Sequence, residues 1–125
     1  MSHLLLVAAG GAIGASFRHV SGVAALRIMG PGFPWGTLFV NVFGSLVMGL
    51  FIAWLVKRTG TSEEVRLFVA TGILGGFTTF SAFSLDFANL IERGSMGAAF
   101  AYVLASVFLA VLAIFIGLWF GRAFL

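Results

Sequence analysis

Two long stretches without a charged residue constrain the fold of this chain most strongly. One runs from Ile28 to Val56 and the other from Gly94 to Gly121. A transmembrane helix needs about 20 predominantly apolar residues, and each stretch is longer than that. The first stretch opens with the glycine- and proline-rich turn Met29-Gly30-Pro31-Gly32-Phe33-Pro34. A helix is therefore expected to start after this turn, near Trp35.

The composition supports a protein that lies in a lipid bilayer. Charged residues make up 9% of the chain, hydrophobic residues 61%, and the mean hydropathy is +1.14. A soluble domain carries roughly 25% charged residues, so this chain could not cover a soluble surface. The basic residues stand near segment ends, which favours interfacial anchoring in lipid over nucleic-acid binding. The chain has no cysteine, which excludes disulfides and thiolate metal sites.

We predict an all-α membrane protein with a single four-helix transmembrane domain over residues 1–125. The spans are expected at about 4–26, 35–57, 64–92 and 95–121. The first seventeen residues could be mistaken for a signal peptide. However, no Lys or Arg precedes the apolar stretch, and helical character continues past Arg18, so a retained first span is the expectation.

Charge placement leaves the orientation in the membrane open. Four spans put both termini on one side, together with Lys57, Arg58, Arg66 and Arg122, against Arg27 and Arg93 on the other. This bias is small enough to permit insertion in both orientations and hence an antiparallel dimer, whereas a fixed orientation set by the loop after the second span is the alternative. Four short spans enclose little volume, so a solute pathway is expected to need a second subunit.

Glycines recur four residues apart, which is the spacing of close helix packing in membranes. The pairs are Gly10 and Gly14, Gly72 and Gly76, and Gly117 and Gly121. They predict packed helices and indicate nothing about a substrate.

The segment Gly75-Gly76-Phe77-Thr78-Thr79-Phe80-Ser81-Ala82-Phe83-Ser84 interrupts an uncharged run with paired glycines and four hydroxyls. A spanning helix tolerates a break only where the freed backbone groups meet protein, water or an ion. We therefore predict a broken third helix, unwound at Gly75-Gly76, that marks a pathway or binding site. The alternative is a continuous helix whose hydroxyls bond back to their own carbonyls.

A break here would offer groups of both polarities. The carbonyls of Gly75 and Thr78 would suit a hard cation. Free N–H groups at the start of the following half-helix, with the hydroxyls of Thr79, Ser81 and Ser84, would suit an anion.

Two phenylalanines beside the break lie on one helical face. Phe80 and Phe83 are three residues apart. An aromatic ring is positive at its edge, so these rings could face an anion without a formal cation. Ordinary packing is the alternative for any one phenylalanine in this chain.

Four further polar residues fall inside predicted spans. Asn41 either forms a helix–helix hydrogen bond or donates to a passing anion. Tyr102 and Ser106 share a face of the fourth span and are either satisfied by neighbouring carbonyls or exposed to a pathway. Arg18 either reaches the membrane interface or draws anions into a wet vestibule at a pore mouth.

The sequence contains no constellation that predicts an enzyme. His3 and His19 are the only histidines, and neither has a carboxylate pair at metal-ligand spacing. No glycine-rich phosphate loop opens a soluble helix. The chain is therefore not expected to be an enzyme or to use ATP.

Three motifs together resemble the Fluc (CrcB-type) fluoride channel family, and the resemblance covers essentially the whole chain. They are Gly10-Gly11-Ala12-Ile13-Gly14 with Phe17-Arg18, then Gly36-Thr37-Leu38-Phe39-Val40-Asn41 with Gly44, and the interrupted segment of the third span. The resemblance implies an antiparallel, dual-topology homodimer in the cell inner membrane with two fluoride pores. It implies passive export of toxic fluoride.

The resemblance also implies residue roles. Phe80 and Phe83 would be the pore phenylalanines, Asn41 the pore amide, and Arg18 the arginine near the pore mouth. Tyr102 and Ser106 would form part of a polar track. The carbonyls of Gly75 and Thr78 would hold one structural Na⁺ on the dimer axis.

Two residues depart from the family pattern. Ala82 stands where many members have Thr, and Ala110 where a third polar-track hydroxyl is often found. Each departure removes a donor that would face an anion.

Two other functions remain as alternatives. A small proton-coupled multidrug exporter also uses four spans, but it needs a membrane-embedded carboxylate, typically in the first span, where this chain has Arg18. A membrane assembly protein without a pore would use the glycines and hydroxyls only for packing.

Overall fold

The computed structural model describes residues 1–58, 60 and 62–125, and all regular structure within them is helical. The helices are α1 (Ser2–Met29), α2 (Trp35–Val56), α3 (Glu63–Arg66), the π-helix π1 (Leu67–Leu74), α4 (Gly75–Phe77), α5 (Ser81–Glu92) and α6 (Met96–Phe124). Three of the four segments long and apolar enough to cross a membrane are α1, α2 and α6. The other is the combined stretch Glu63–Glu92, called here the third span. The prediction of an all-α protein with four membrane spans is confirmed.

Glycines with positive φ end two of the helices. Gly30 follows α1 with φ 81°, and Gly94 follows α5 with φ 79°. Such angles are strained for residues that carry a Cβ. After α5, the Ser95 N–H donates to the Leu90 carbonyl at 2.9 Å, which satisfies a carbonyl left open by the helix end.

Two seams of glycine hold the bundle together. In one seam α1 packs on π1 and α4, and a Cβ placed on Gly72 would lie 2.9 Å from the Gly10 Cα. In the other, α2 packs on α6, and a Cβ placed on Gly49 would lie 3.1 Å from the Gly117 Cα. The close packing predicted from the glycine spacing is confirmed, and these two contacts are called the glycine seams below.

Both termini lie at one end of the bundle. Lys57, just after α2, donates from Nζ to the carbonyls of Gly121 and Arg122 at the end of α6. His3 Nε2 lies 3.8 Å from a carboxylate oxygen of Glu64. At the opposite end, Arg93 donates to the Gly32 carbonyl at 3.0 Å and joins the two loops there.

The third span is broken at Thr78–Phe80. Thr78 is extended, with φ −83° and ψ 157°, and α5 starts at Ser81. The prediction of a broken third helix is confirmed, but the predicted position was wrong. Gly75, with φ −64° and ψ −36°, is helical, and the break begins three residues later.

The role of the second glycine explains the difference in position. A Cβ on Gly76 would lie 2.7 Å from the Gly11 carbonyl oxygen, so this glycine belongs to the seam with α1. Close backbone approach, rather than an unusual backbone angle, requires a glycine at this position.

Candidate functional site

Asn41, on α2, fixes the break in the third span from the side. Its Oδ1 accepts the Thr79 N–H at 2.7 Å, and its Nδ2 donates to the Thr79 carbonyl at 2.8 Å. The side-chain amide thus replaces both hydrogen bonds that a helix would have given Thr79. The predicted helix–helix hydrogen bond of Asn41 is present, and it is made to backbone. Nδ2 carries a second N–H beyond the one given to Thr79.

The Thr79 hydroxyl caps the second half of the span. Its Oγ1 accepts the Ala82 N–H at 3.1 Å, in the manner of a helix N-cap. Ser81 Oγ lies 3.4 Å from Thr79 Oγ1. Thr78 and Ser84 behave differently, because their hydroxyls bond back to the carbonyls of Leu74 and Phe80. The alternative of back-bonding hydroxyls therefore holds for two of the four.

These contacts free two carbonyls of the third span. In a continuous helix the Thr79 N–H would bond the Gly75 carbonyl, and the Ala82 N–H would bond the Thr78 carbonyl. Here the Asn41 amide and the Thr79 hydroxyl accept those two N–H groups instead. Gly75 is exposed on the surface of the chain and Thr78 is partly exposed.

Arg18 reaches the break from α1. Its Nε donates to the Gly76 carbonyl at 3.1 Å, at the C-terminal end of α4. A cation is favourable at a helix C-terminus, where carbonyls without intrahelical partners gather. Arg18 also lines a separate cleft with His19, Thr37 and Ala82. Its side chain thus contacts protein at the break instead of extending to the membrane interface.

A cleft of about 440 Å³ opens beside the break, between α2, α5 and α6. The residues that bring polar groups or aromatic rings to it are Asn41, Ser45, Thr78, Thr79, Phe80, Phe83 and Ser106. The rest of its lining is glycine or aliphatic: Gly44, Met48, Val107, Ala110, Val111 and Ile114. None of these described lining residues is charged. We call this space the break cleft.

Ser106 carries a buried polar atom that is not satisfied within the chain. The residue is 6% exposed, and its Oγ has no hydrogen-bond partner among the described residues. A buried hydroxyl left without a partner costs about 1–3 kcal/mol. Its position in the lining of the break cleft offers this hydroxyl to a ligand there.

The two predicted pore rings lie side by side in the break cleft. The ring centroids of Phe80 and Phe83 are 5.5 Å apart, with the planes tilted by 49°. Phe83 also packs on Tyr102 at 5.1 Å, whereas Phe80 is 78% exposed. Because the Phe80 ring is exposed, the break cleft is open to the surface of the chain on that side.

Tyr102 lies apart from the break cleft, although it shares the buried face of α6 with Ser106. It is fully buried, and its hydroxyl donates to Asp86 Oδ2 at 3.0 Å. Asp86 lines another cleft, of about 340 Å³, with Asn89 and Arg93 at the end of the bundle away from the termini. The hydroxyl of Tyr102 is thus directed to a carboxylate in the third span.

The structure therefore brings together most of the predicted site residues. Asn41, Thr79, Phe80, Phe83 and Ser106 line one cleft. Of the two departures from the family pattern, Ala110 lines the break cleft and Ala82 lines the cleft of Arg18. Ser81 is exposed beside the break, outside the lining of either cleft.

Sequence reasoning missed one member of the break cleft and one contact between spans outside it. Ser45 lies one helical turn after Asn41 and lines the same cleft, so the four-residue spacing from Asn41 was a usable signal. The pairing of Asp86 with Tyr102 joins two spans, and no spacing within either span reveals it.

Comparison with known proteins identifies relatives over the full chain. Residues 5–118 match the family model described as CrcB-like protein, Camphor Resistance (CrcB). A protein named fluoride-specific ion channel FluC from Mesorhizobium japonicum is 62% identical over 123 residues, which cover 98% of each chain. The protein of the same name from Chelativorans sp. is 58% identical over 125 residues and 100% of each chain. That from Agrobacterium fabrum is 52% identical over 98% of each. All three are named as ion channels, in agreement with the prediction that the chain is not an enzyme.

Proposed function

This chain belongs to the CrcB-like family, and on that premise we propose that it is a passive, fluoride-selective ion channel. The observation that carries the proposal is the break cleft, where amide, hydroxyl and ring-edge groups gather beside a broken membrane helix. A channel of this kind would release toxic fluoride down its gradient across the cell inner membrane.

The lining of the break cleft suits a small anion. Fluoride is tightly hydrated, and its charge is costly to place in a medium of low dielectric constant. The unpartnered Ser106 hydroxyl, the second N–H of Asn41 and the edges of Phe80 and Phe83 can replace its water. Ser106 and Asn41 supply hydrogen-bond donors, and the rings supply weak positive edges.

The absence of charge in the described lining favours conduction over trapping. A pore must bind an ion well enough for entry and weakly enough for release. A fixed cation in the cleft would bind fluoride more strongly than neutral donors do. Arg18 instead lies behind the break, with its Nε held by the Gly76 carbonyl. We propose that Arg18 stabilises the end of α4 at the break and attracts anions toward the pore mouth.

We further propose that the working unit is a homodimer. The break cleft is open on one side, where Phe80 is mostly exposed, so one subunit leaves the pathway facing lipid. An antiparallel partner would close the pathway and give two pores of opposite direction. The small charge bias between the two ends of the bundle is compatible with such dual insertion.

A structural Na⁺ at the dimer axis fits the two freed carbonyls. Gly75 and Thr78 would hold it through their backbone oxygens, which are ligands that hard cations prefer. The N–H groups of Thr79 and Ala82, which would bond these carbonyls in a continuous helix, donate to the Asn41 side chain and the Thr79 hydroxyl instead. The two carbonyl oxygens are therefore available to an ion. Two oxygens from one chain are too few for such a cation, so the site requires the partner. When bound, the ion would link the broken spans of the two subunits.

Fluoride efflux from liposomes tests the proposed function. Purified protein is reconstituted into vesicles loaded with fluoride, and release is followed with a fluoride electrode after a K⁺ ionophore removes the opposing voltage. We expect rapid fluoride release and no comparable chloride release from matched vesicles. Fluoride release no faster than from protein-free vesicles would contradict the proposal, and drug uptake driven by a proton gradient would favour an exporter.

A further inference from the structure

We infer that Ser45 is an additional fluoride-coordinating residue of the break cleft, one helical turn beyond Asn41. This inference rests on the proposed channel function. Its evidence is the position of Ser45, the bond that its hydroxyl makes, and the composition of the cleft on the opposite helix.

Ser45 stands in the break cleft one helical turn beyond Asn41. Both residues line the cleft from α2, while Ser106 and Ala110, also one turn apart, line it from α6. The two helices run in parallel, because their ends meet where Lys57 contacts the carbonyls of Gly121 and Arg122. Gly49 packs against Gly117 where these helices touch, so Ala110 is level with Asn41, and Ser45 is level with Ile114. Moving toward the end that holds the termini, an ion therefore passes Ser106, then Asn41, and next meets Ser45.

The hydroxyl of Ser45 can turn to an ion at little cost. Its Oγ donates to the Asn41 carbonyl at 2.7 Å. That carbonyl also receives the backbone N–H of Ser45 in the regular helix α2, so it stays bonded when the hydroxyl rotates away. Back-bonding of this kind is a weak, local interaction that a stronger acceptor can replace. A fluoride ion is such an acceptor.

No other described side chain at this level of the cleft supplies a donor. Past Asn41 and Ser106, the remaining lining on this side is Met48, Val107, Ala110, Val111 and Ile114. A desolvated anion would meet only hydrocarbon there without Ser45.

Variants of Ser45 that remove or keep its hydroxyl test the assignment. Fluoride efflux is measured for wild type, Ser45→Ala and Ser45→Thr. Ser16→Ala is the matched control, because Ser16 also bonds the carbonyl four residues back but lies on the exposed face of α1. All proteins are compared at equal amounts of monodisperse protein.

We expect Ser45→Ala to slow efflux about five- to tenfold, as for loss of one hydrogen bond to an ion, with Ser16→Ala unchanged. Ser45→Thr keeps a hydroxyl at this position and should release fluoride within about twofold of the wild-type rate.

Two results would overturn the assignment while the channel function stands: Ser45→Ala as fast as Ser16→Ala, or Ser45→Thr no faster than Ser45→Ala. A wild-type protein that releases no fluoride would instead overturn the proposed function. If Ser45→Ala does not fold, Ser45→Cys replaces it. The thiol has a similar shape and is a weak donor, so slowed efflux supports the assignment and wild-type efflux refutes it.

Discussion

The glycine seams hold backbone against backbone, whereas the break in the third span holds backbone against side chains. In the seams, π1 and α4 approach α1 so closely that a single added carbon would collide with main-chain atoms. At the break, Asn41, Thr79 and Arg18 supply the hydrogen bonds that the helix gives up. The first region tolerates no added volume, and the second tolerates no lost polar group.

This difference separates stability from function. A seam has no spare polar groups, so changes there should act on folding. The break lies beside a cleft lined by Asn41 and by Ser106, whose hydroxyl has no partner among the described residues, so changes there should act on ion flux. The third span carries the seam with α1 in its first half and lines the break cleft with the residues that follow.

The largest expected effect comes from adding a methyl group to a seam. A Cβ on Gly14 would lie 2.8 Å from the Phe77 N and still closer to the Ile73 carbonyl. We expect Gly14→Ala to lower the free energy of unfolding in detergent by about 3 kcal/mol, the upper range of overpacking, or to prevent folding. Gly11→Ala is the control, since nothing lies within 4 Å of a Cβ there. Equal melting temperatures for the two variants would contradict the claim that the glycine seams tolerate no added volume.

The next effect is expected at the residue that fixes the break. Asn41→Ala removes both hydrogen bonds to Thr79 and a donor from the lining of the cleft. With each hydrogen bond contributing about 1–1.5 kcal/mol, we expect fluoride flux to fall about 100-fold. Asn41→Asp keeps the acceptor for the Thr79 N–H and brings a negative charge into the cleft, so flux should remain low even where the fold is restored. Wild-type flux in either variant would show that Asn41 is not part of the ion pathway.

Sodium removal should weaken the junction between subunits. If the Gly75 and Thr78 carbonyls hold Na⁺, replacing it with N-methylglucamine should reduce flux or dissociate the dimer, because this cation is too large for carbonyl coordination. Flux and particle size are measured after extended dialysis, with K⁺ as a second cation. Full flux from an intact dimer in sodium-free medium would refute the cation site.

The smallest effects are expected at the two rings. Phe80→Ile and Phe83→Ile remove a ring edge and keep most of the apolar volume, so we expect flux about tenfold lower from a folded protein. Because Phe80 is largely exposed and Phe83 packs on Tyr102, only Phe83→Ile should also change the melting temperature. Unchanged flux in both variants would show that the rings serve packing alone.

Much of this arrangement was predictable because membrane spans follow from simple patterns. Long uncharged runs predicted the four spans, and the glycine spacing predicted the seams. The cluster of hydroxyls after Gly76 predicted a break, since a spanning helix rarely gathers so many without reason. Asn41, Phe80, Phe83 and Ser106 line one cleft beside it, and their roles toward an ion stay predictions.

The position of the break was not predictable from local sequence. Paired glycines permit an unwound turn but do not require one, and Gly76 is held helical against α1. The helix ends where Asn41, 38 residues away in the chain, accepts the Thr79 N–H. Contacts between distant spans, such as this one and Tyr102 with Asp86, carry no signal in the periodicity of either span.

The central claim is that fluoride passes through the cleft beside the broken third span. The most direct measurement is an experimental density map, at about 2 Å resolution, of protein in lipid with fluoride present. The account predicts a span interrupted at Thr78–Phe80 and an ion peak about 3 Å from Ser106 Oγ or Asn41 Nδ2. A continuous helix through these residues, with acyl chains filling the space between α2 and α6, would contradict it.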